Sequence, residues 1–505
     1  MDAAARVARA RDDAPAIGRD IGELDLALAR EGLAPRGDDM AERAAYLVGC
    51  GGREALVGQG LRSDAKGTNY STRASRRKQA RQGRPVVQDA APGGPTTSMR
   101  ITAIDTIRAA QWPHLAWVRV HTDQGLVGLG ETSFHAEAVC GYVHEVAAPY
   151  LIGREAGRID LHHRTLAKGL MALVGYQGSG AEIRAISAID IALWDLLGQA
   201  AGMPIHALLG GACRDEIRVY NTCNGYRPGW KRRPGDPGEG YWRLLPAGRP
   251  EGPYEDLEGF INRADELAES LLEEGIGAMK IYPFNAAAEA SGGLHIGAAE
   301  LRAALEPLRR VRARVGDRIE VMVDFHSLWN LPQARRIARA LEEFEPSWLE
   351  DPIKMDNVDA LADYAASTRI PVCGSETLGT RAEFREVIER RAVGIVMFDA
   401  AWVGGISEAR KIAAMAEAHH LPVAPHDATG PVTLVAGNHV VVNAPNGLVQ
   451  EIVRSFYSTW YRDIVEELPE IERGMMRPLQ GPGLGTRLSR RFLARGDLAV
   501  RTSAA

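Results

Sequence analysis

The sequence predicts an α/β protein in which a parallel (β/α) barrel follows a smaller α+β unit. Eight short apolar runs alternate with amphipathic helical patterns between residues 217 and 453. This alternation is typical of parallel strands joined by crossover helices. Three strand-like runs and a series of helical patterns precede them between residues 99 and 200. A doubly wound open sheet is the alternative architecture for the second part.

The α+β unit begins sharply at Met99 with three strand-like runs, two of which are separated by a turn at residues 123–125. Helical patterns fill residues 136–200. The eight later runs are IRVYNT (217–222), AMKIYPF (278–284), IEVMVDFH (319–326), SWLEDP (347–352), VCGSET (372–377), GIVMFDA (394–400), LPVAPHD (421–427) and LVQEIV (448–453). We expect the long Pro- and Gly-rich loop at residues 226–257 to shape a substrate site, as long βα loops in barrels do.

The composition excludes several classes of protein. Of the 505 residues, 45% are hydrophobic and 25% are charged, which is ordinary for a globular protein. The net charge of −5 gives no reason to expect nucleic-acid binding, and no apolar run approaches the roughly 20 residues that span a bilayer. The five cysteines are scattered without a CxxC pair, and residues 1–30 lack the apolar core of a signal peptide. We therefore expect no zinc cluster, no nucleic-acid partner, no membrane association and a reducing cytoplasm.

The first 98 residues differ from the rest of the chain. They are rich in Ala, Arg, Gly and Asp, and residues 66–84 carry seven basic and no acidic side chains. A basic patch can bind nucleic acid, but aromatic residues are sparse here, so we predict a solvated, disordered leader. Because strand-like order begins at Met99, a misassigned start is the other explanation for residues 1–98.

Carboxylates follow three neighbouring apolar runs. Asp324 ends VMVD, Glu350 ends SWLE and Glu376 ends VCGSE, so that 26 positions separate each from the next. Chemistry in parallel barrels sits at the carboxyl ends of the strands, where this spacing predicts three neighbouring carboxylates. Clustered anions raise one another's pKa values, and a hard divalent cation removes the conflict. We therefore predict a metal site at these three residues, with Mg²⁺ as the ion and Mn²⁺ as the alternative.

Histidines follow two of the eight runs. His326 lies two positions after Asp324, so strand geometry predicts that both side chains lie on one face. His426 ends LPVAPH, and Asp399 follows the neighbouring run IVMF. An adjacent aspartate orients an imidazole ring and raises its basicity. The sequence therefore predicts His426 and Asp399 as a general-base pair.

Two segments of the chain resemble the mandelate racemase/muconate lactonizing enzyme group of the enolase superfamily. They are AISAIDIALWDLLGQAAGMPIHALLGG (185–211) and VMVDFHSLWNLPQARRIARALEEFEPSWLEDP (321–352). The resemblance covers roughly residues 99–455. It implies a modified (β/α)7β TIM-type barrel over residues 216–455, an α+β capping domain over residues 99–215, and a C-terminal segment, residues 456–505, that packs on the cap.

The resemblance also implies roles for four further side chains: Lys280, Tyr282 and Glu451 are predicted to bind the substrate, and His326 is predicted to be catalytic. Lys280 would add a cation to the substrate carboxylate, and Glu451 looks similar to the family's carboxylic donor on the last strand. Racemases of the family carry Lys-x-Lys where this chain has Lys280-Ile281-Tyr282. A tyrosine, with an ordinary pKa near ~10, is a poor base, which disfavours a two-base racemase. His326 matches the histidine that protonates the departing 3-hydroxyl in the family's acid-sugar dehydratases.

The resemblance implies a function within this family. Galactonate and mannonate dehydratases remove the proton α to a carboxylate with the help of Mg²⁺ and then eliminate water. We therefore predict that the protein dehydrates an aldonate to a 2-keto-3-deoxy sugar acid. The expected ligand is a small-molecule sugar acid, and the expected assembly is a homo-oligomer. The alternatives are a cycloisomerase that opens an anhydro-sugar acid or lactone, then a racemase or epimerase, and last a non-catalytic sugar-acid binder. The loops at residues 110–115, 176–180 and 226–257 are expected to set specificity.

Overall fold

The computed structural model describes residues 98–167, 178–225 and 254–505. The leader, the first two residues of the predicted loop at residues 176–180 and most of the insertion at residues 226–257 lie outside these ranges. Within them, none of the helices combines the length and the apolar character that crossing a membrane requires.

The described residues contain strands in two sheets. The strands are β1 (Ile101–Ala109), β2 (Trp112–Thr122), β3 (Val127–Ser133), β4 (Ile217–Thr222), β5 (Ala278–Ile281), β6 (Glu320–Asp324), β7 (Trp348–Glu350), β8 (Val372–Gly374), β9 (Ile395–Phe398), β10 (Val423–Pro425), β11 (Gln450–Ile452), β12 (Ile471–Glu472), β13 (Met475–Met476) and β14 (Leu498–Ala504). Each of the eight apolar runs of the second part contains one of the strands β4 to β11.

Helices cover both sheets. They are α1 (Ala136–Tyr142), a π-helical turn (Val143–Ala147), α2 (Ala148–Leu151), α3 (Ile159–Ala167), α4 (Ala181–Ala201), α5 (Ile205–Leu208), α6 (Asp256–Asn262), α7 (Ala264–Glu273), α8 (Asn285–Ser291), α9 (Ala298–Ala304), α10 (Glu306–Val315), α11 (Leu331–Leu341), a 3₁₀ turn (Glu342–Phe344), α12 (Val358–Ala365), α13 (Thr380–Glu389), α14 (Gly405–Ala418), α15 (Pro431–Asn443), α16 (Arg454–Tyr457), α17 (Trp460–Ile464) and α18 (Arg490–Leu493).

The first sheet, which we call the cap sheet, is antiparallel with the strand order β14-β1-β2-β3. β1 therefore has β2 on one side and β14, from the far end of the chain, on the other. Helix α4 packs on β3. This approach is close because Gly130 on β3 has no side chain: a Cβ there would lie 1.8 Å from the carbonyl oxygen of Ala188.

In the described part of the chain, the second sheet has ten strands: the eight strands β4 to β11 form a parallel barrel, and β13 and β12 continue the sheet from β4 as antiparallel strands. Each strand from β4 to β9 pairs in parallel with the next strand in the chain, and β11 pairs in parallel with β4. Backbone hydrogen bonds of Val423 with Asn446 and Leu448 join β10 to the chain that leads into β11. A cluster of buried side chains on the barrel strands and the segment before β11 fills the interior: Tyr220, Ala278, Met322, Trp348, Cys373, Ile395, Met397, Ala424 and Val449. The predicted fold class is confirmed. Because these side chains fill the interior, a site in the barrel has to lie at the carboxyl ends of its strands.

Crossover helices of the barrel follow from local sequence. Helix α11 begins at Asn330, whose side chain accepts a hydrogen bond from the backbone N–H of Gln333. Its buried residues recur at helical spacing, as Ala334, Ile337, Ala338 and Leu341, and pack against the barrel. The following strand, β7, carries Glu350 at its carboxyl end.

Two local expectations were wrong. Strand β6 ends at Asp324, and His326 has a φ of 50°, so the two residues do not share one face of a strand. The left-handed backbone at His326 and Ser327 instead turns the chain across the barrel mouth. The second expectation concerned a loop at residues 110–115: only its first two residues form a turn, and β2 already begins at Trp112.

A buried carboxylate connects the cap sheet to the barrel. Glu131 on β3 is fully buried and accepts hydrogen bonds from the backbone N–H groups of Val432 and Thr433, the Thr433 hydroxyl and the Trp117 indole. Burial raises the pKa of Glu131 to about 7, although these donors oppose the rise. Val432 and Thr433, which donate three of these hydrogen bonds, lie in the first turn of α15. This helix follows the loop that carries His426. Glu131 therefore fixes the position of that loop against the cap.

We expect Glu131→Gln to destabilise the protein by about 1–3 kcal/mol, because one carboxylate oxygen becomes an amide nitrogen and at least one buried donor, such as the Trp117 indole N–H, loses its acceptor. Urea unfolding followed by tryptophan fluorescence measures the loss. The matched control is Glu137→Gln, since Glu137 is exposed and pairs only with Arg108 at 3.1 Å among the described residues. Equal unfolding midpoints for the two variants would contradict this role of Glu131.

Candidate active site

A cavity of about 260 Å³ lies at the carboxyl ends of the barrel strands. Its walls come from both sheets: the barrel supplies most of the polar groups, and residues following β3 and beginning α4 close it from the cap side. The lining residues are Phe134, Arg184, Thr222, Asn224, Lys280, Tyr282, Asp324, His326, Glu376, Thr377, Trp402, His426, Ala428 and Glu451. A small cavity with convergent polar groups is the default form of a site for a small polar ligand.

The three carboxylates of the predicted metal site end neighbouring strands. Asp324 and Glu350 are the last residues of β6 and β7 and are directly paired in the parallel ladder. Glu376 lies two residues beyond β8. The ammonium of Lys280, on β5, contacts Glu350, lies 2.9 Å from Glu451 and lies 3.6 Å from Asp324. The buried Lys280 ammonium thus lies within ion-pair distance of three buried carboxylates.

The buried carboxylates of this cluster carry more negative charge than the single Lys280 ammonium can balance. Burial raises the pKa of Glu350 to about 8, with Lys280 opposing the rise and Asp324 adding to it. Burial and the neighbouring Asp351 raise the pKa of Glu376 well above its usual value. The pKa of Asp324 is also raised, again mainly by burial. Carboxylates in this state are stabilised by any further cation that binds among them.

The residues fit a hard divalent cation by their chemistry. All three donors are carboxylates, and one Glu376 oxygen, Oε2, is buried without a hydrogen-bond partner within the described ranges. In those ranges, however, no group of three or more Asp, Glu, His or Cys side chains is arranged so that it could hold a metal ion. The Lys280 ammonium lies among the carboxylates in this arrangement.

The predicted base pair is formed. The Nδ1 atom of His426 lies 2.8 Å from Oδ2 of Asp399. Asp399 also accepts hydrogen bonds from the Thr429 hydroxyl at 2.7 Å and from the backbone N–H of Ala401 at 2.7 Å. A carboxylate so occupied orients the ring and keeps a proton on Nδ1, which leaves Nε2 as the basic atom. His426 lines the cavity.

Nearby carboxylates make His426 strongly basic. Burial alone lowers the pKa of its imidazole, but Glu451, Asp399 and Glu376 raise it to about 9. The partner effect is reciprocal: burial raises the pKa of Glu451, yet Lys280 and His426 outweigh burial and lower it to about 2. Glu451 Oε2 lies 4.0 Å from Nε2 of His426. It is therefore an ionised neighbour of both cations and faces the same cavity.

His326 lies on the side of the cavity nearest Asp324. Its Nε2 atom is 3.2 Å from Oδ2 of Asp324, and its Nδ1 atom accepts a hydrogen bond at 2.8 Å from the amide of Asn285. Burial lowers the pKa of His326 well below its ordinary value, and the charges of Lys280 and His426 lower it further. Oδ1 of Asn285 is buried and has no hydrogen-bond partner in the described part of the chain. A half-turn of that amide would let Oδ1 accept from a protonated Nδ1.

Tyr282 lies beside His326, with its ring edge-on to the imidazole at 5.1 Å. Its hydroxyl donates toward the carbonyl oxygen of Cys223 at 3.3 Å. Burial and nearby anions raise the pKa of Tyr282 well above its ordinary value. A hydroxyl in this state does not act as a base near neutral pH.

Several residues of the site were not found from the sequence, and four of them position or enclose the predicted ones. Asn285 and Thr429 hold His326 and Asp399, and Arg184 and Trp402 form a wall of the cavity. Asn285 follows β5 by four residues, so the strand-end position was a usable signal. Arg184 belongs to a cap helix, and no local pattern separates it from a solvent-facing arginine.

A parallel barrel with an antiparallel cap sheet and polar groups at the carboxyl ends of its strands defines the class of capped-barrel proteins to which enolases belong. The description "Mandelate racemase / muconate lactonizing enzyme, N-terminal domain" matches residues 94–210, and "Enolase C-terminal domain-like" matches residues 263–492. The chain therefore belongs to the mandelate racemase/muconate lactonizing enzyme family of the enolase superfamily, which confirms the family predicted from its sequence.

Individual relatives agree with this assignment. A D-galactonate dehydratase of Verminephrobacter eiseniae is 30% identical over 399 residues, which cover 77% of this chain and 92% of that protein. A crystal structure of an enolase of the mandelate racemase subgroup from Agrobacterium tumefaciens is 48% identical, with a TM-score of 0.70, over 81% of this chain and 99% of that one. An enolase from the Sargasso Sea environmental genome is 43% identical, with a TM-score of 0.71 and the same coverage.

Proposed function

We propose that this protein dehydrates a sugar acid: it removes the proton α to the carboxylate and eliminates water to give a 2-keto-3-deoxy acid. The observation that carries the proposal is that an aspartate-paired imidazole, His426, and a second imidazole, His326, line the same cavity as the Lys280 ammonium. A base, an acid and a cation for the substrate carboxylate are the groups that this β-elimination requires. The curated relatives named D-galactonate dehydratases support the same reaction class.

His426 acts as the general base through Nε2. Asp399 keeps the other ring nitrogen protonated, so Nε2 has the free electron pair that accepts the α-proton. The imidazolium that forms is stabilised by Asp399 and by the ionised Glu451. Lys280 is on β5, four strands around the barrel from β9, the strand that leads to Asp399. Its ammonium binds the substrate carboxylate, toward which the electrons of the broken C–H bond move.

His326 acts as the general acid in its protonated form. The electron pair released at the α-carbon forms a double bond to the β-carbon, and the bond from the β-carbon to its hydroxyl breaks. The proton on Nε2 of His326 goes to the departing oxygen, which leaves as water. The enol that remains takes up a proton and becomes the 2-keto acid. The negative charge of the substrate favours protonation of His326, because it opposes the neighbouring Lys280 charge that lowers the pKa of the imidazole.

Asp324, Glu350 and Glu376 are the residues that would hold Mg²⁺, with Mn²⁺ as the alternative ion. A bound divalent cation supplies stabilisation of the negative charge that develops on the substrate carboxylate. The raised pKa values of these three groups support this assignment, since each anion lacks sufficient compensation by Lys280 alone.

A substrate screen with and without metal tests the proposal. With Mg²⁺ present, we expect at least one member of a panel of aldonates, aldarates and anhydro-aldonates to yield a 2-keto acid with the mass of one water lost. Chelation should abolish this activity, and added Mg²⁺ should restore it. A product of unchanged mass would identify a cycloisomerase or racemase instead. Full activity in excess chelator would contradict the metal assignment.

A further inference from the structure

The cap contributes one cation to the cavity, the guanidinium of Arg184. It lies over the Trp402 ring at 4.1 Å and within 5.7 Å of the Phe134 ring centroid. One of its nitrogens, Nη1, donates to the carbonyl oxygen of Ser133 at 2.9 Å. The Nε atom is buried and has no hydrogen-bond partner among the residues the structure describes. At least one N–H donor of the Arg184 guanidinium therefore has no acceptor among these residues.

No carboxylate of the described chain lies within ion-pair distance of Arg184. The anions whose charges act on it are Asp399, the partner of His426, and Glu376, a predicted metal ligand. Burial consequently lowers the pKa of Arg184 to about 10, because these two charges only partly compensate it. A guanidinium that is partly withdrawn from water without a paired anion is destabilised. An anionic group of the ligand would remove that destabilisation.

Arg184 is held rigidly in this position. It lies in the first turn of α4, and the same helix is fixed to the barrel by two buried hydrogen bonds: Gly404 N–H donates to Ser187 Oγ at 2.8 Å, and Ser407 N–H donates to Asp190 Oδ1 at 2.9 Å. These contacts fix α4 to the chain that carries Trp402. The guanidinium is therefore preorganised against the cavity wall, as a specific binding group requires.

Lys280 and Arg184 lie on opposite sides of the cavity. Lys280 is the last but one residue of β5, whereas Trp402, on which Arg184 stacks, follows β9. β5 and β9 are separated by four positions in a barrel of eight strands, which is half its circumference. A ligand whose first carboxylate lies at Lys280 would extend across the cavity, and its far end would reach Arg184.

We propose that Arg184 binds a second carboxylate at the far end of the substrate, so that the protein acts on sugar diacids (aldarates) in preference to the corresponding aldonates. A planar carboxylate matches the guanidinium fork and can take two charge-assisted hydrogen bonds. A terminal hydroxyl of an aldonate would leave the charge of Arg184 uncompensated. This inference rests on the proposed function, because that function assigns the first carboxylate to Lys280.

Matched pairs of sugar acids test the proposal. Galactonate and galactarate share the configuration at all four internal carbons and differ only in the oxidation of carbon 6, and gluconate and glucarate form a second pair. For the Mg²⁺-loaded enzyme we expect kcat/KM to favour one diacid over its monoacid partner. Arg184→Gln should reduce kcat/KM for that diacid by about 10²–10³-fold, mainly through KM, and should reduce it far less for the monoacid.

Two further variants sharpen the test. Arg184→Lys keeps the charge but loses the fork, so we expect an intermediate loss for the diacid. Arg164→Gln removes an exposed guanidinium from α3 in the cap and should change neither substrate. An equal loss for both members of a pair in Arg184→Gln, or a wild-type preference for the monoacid, would overturn the proposal.

Calorimetric binding separates this proposal from the proposed function. Titration of each acid into the Mg²⁺-loaded protein measures the diacid preference whether or not turnover occurs. Binding that favours the diacid and depends on Arg184, without any 2-keto acid formed, supports the role of Arg184 and contradicts dehydration. Turnover of monoacids with no effect of Arg184→Gln supports dehydration and overturns the diacid preference. Failure of every acid to bind overturns both.

Discussion

His426→Asn abolishes both exchange of the substrate's α-hydrogen with solvent and formation of the 2-keto acid, each by at least about 10⁴-fold, because removal of that proton is the first step of the reaction. Asparagine keeps an N–H that can donate to Asp399, so the pocket retains that hydrogen bond and loses only the base. NMR in D₂O follows deuterium entry into recovered substrate and the appearance of product in the same sample. The matched control is His420→Asn, which changes an exposed imidazole and should leave both rates unaltered.

The pH dependence gives a second readout of the same base. His426 accepts a proton only when it is neutral, and exchange of the α-hydrogen does not need His326 as an acid, so the exchange rate of the wild-type enzyme should rise with pH as the His426 imidazole loses its proton. Glu451, Asp399 and Glu376 raise the pKa of His426 to about 9, and a cation bound at Glu376 opposes them, so this rise should be centred at or below that pH. A residual rate in His426→Asn with the same rise would show that another group is the base.

His326→Asn separates the two steps that His426→Asn stops together. The α-hydrogen should still exchange with D₂O, because His426 and Asp399 are intact, whereas loss of water should fall by roughly 10²–10⁴-fold for want of the acid. This difference is expected only if the proton on His426 exchanges with solvent before it returns to the substrate. Measured Mg²⁺ binding should persist, since Asp324 and not His326 is the predicted ligand.

Two outcomes would contradict the role of His326. Dehydration at the wild-type rate with metal bound would make the imidazole structural. Equal loss of exchange and dehydration would indicate that His326 acts before the bond to the β-hydroxyl breaks. His295→Asn, which changes an exposed histidine in the loop that leads to α9, is the matched control and should leave both rates unaltered.

The barrel could be predicted because its strands are buried on both faces. Such strands appear in the sequence as continuous apolar runs, and each of the eight runs contains one barrel strand. Their register also explains the spacing of the carboxylates. Asp324 pairs directly with Glu350, but Glu350 pairs with Cys373, so Glu376 lies three residues beyond the pairing that equal spacing suggested. An equal interval in sequence therefore did not mean an equal height in the barrel.

What could not be predicted depends on contacts between distant segments. The prediction that Asp324 and His326 lie on one face of a strand was wrong because the chain leaves the sheet after Asp324. No Gly or Pro near this turn indicates it in the sequence. Arg184 enters the cavity only because α4 packs across β3 and contacts the chain after β9. The Glu131 contacts join positions about 300 apart, and nothing near Glu131 in the sequence indicates them.

The pairing of β14 with β1 has a consequence for biosynthesis. The contact between Asp105 on β1 and Thr502 on β14 joins residues 397 positions apart, and nearly the whole barrel lies between them. At the usual elongation speed, a ribosome needs roughly 20–80 s to add that many residues. During this interval, one edge of β1 remains unpaired in the nascent chain, and an open strand edge can pair with other chains. Residues 101–109 are therefore where co-translational aggregation should begin, and where a chaperone that shields strand edges should act first.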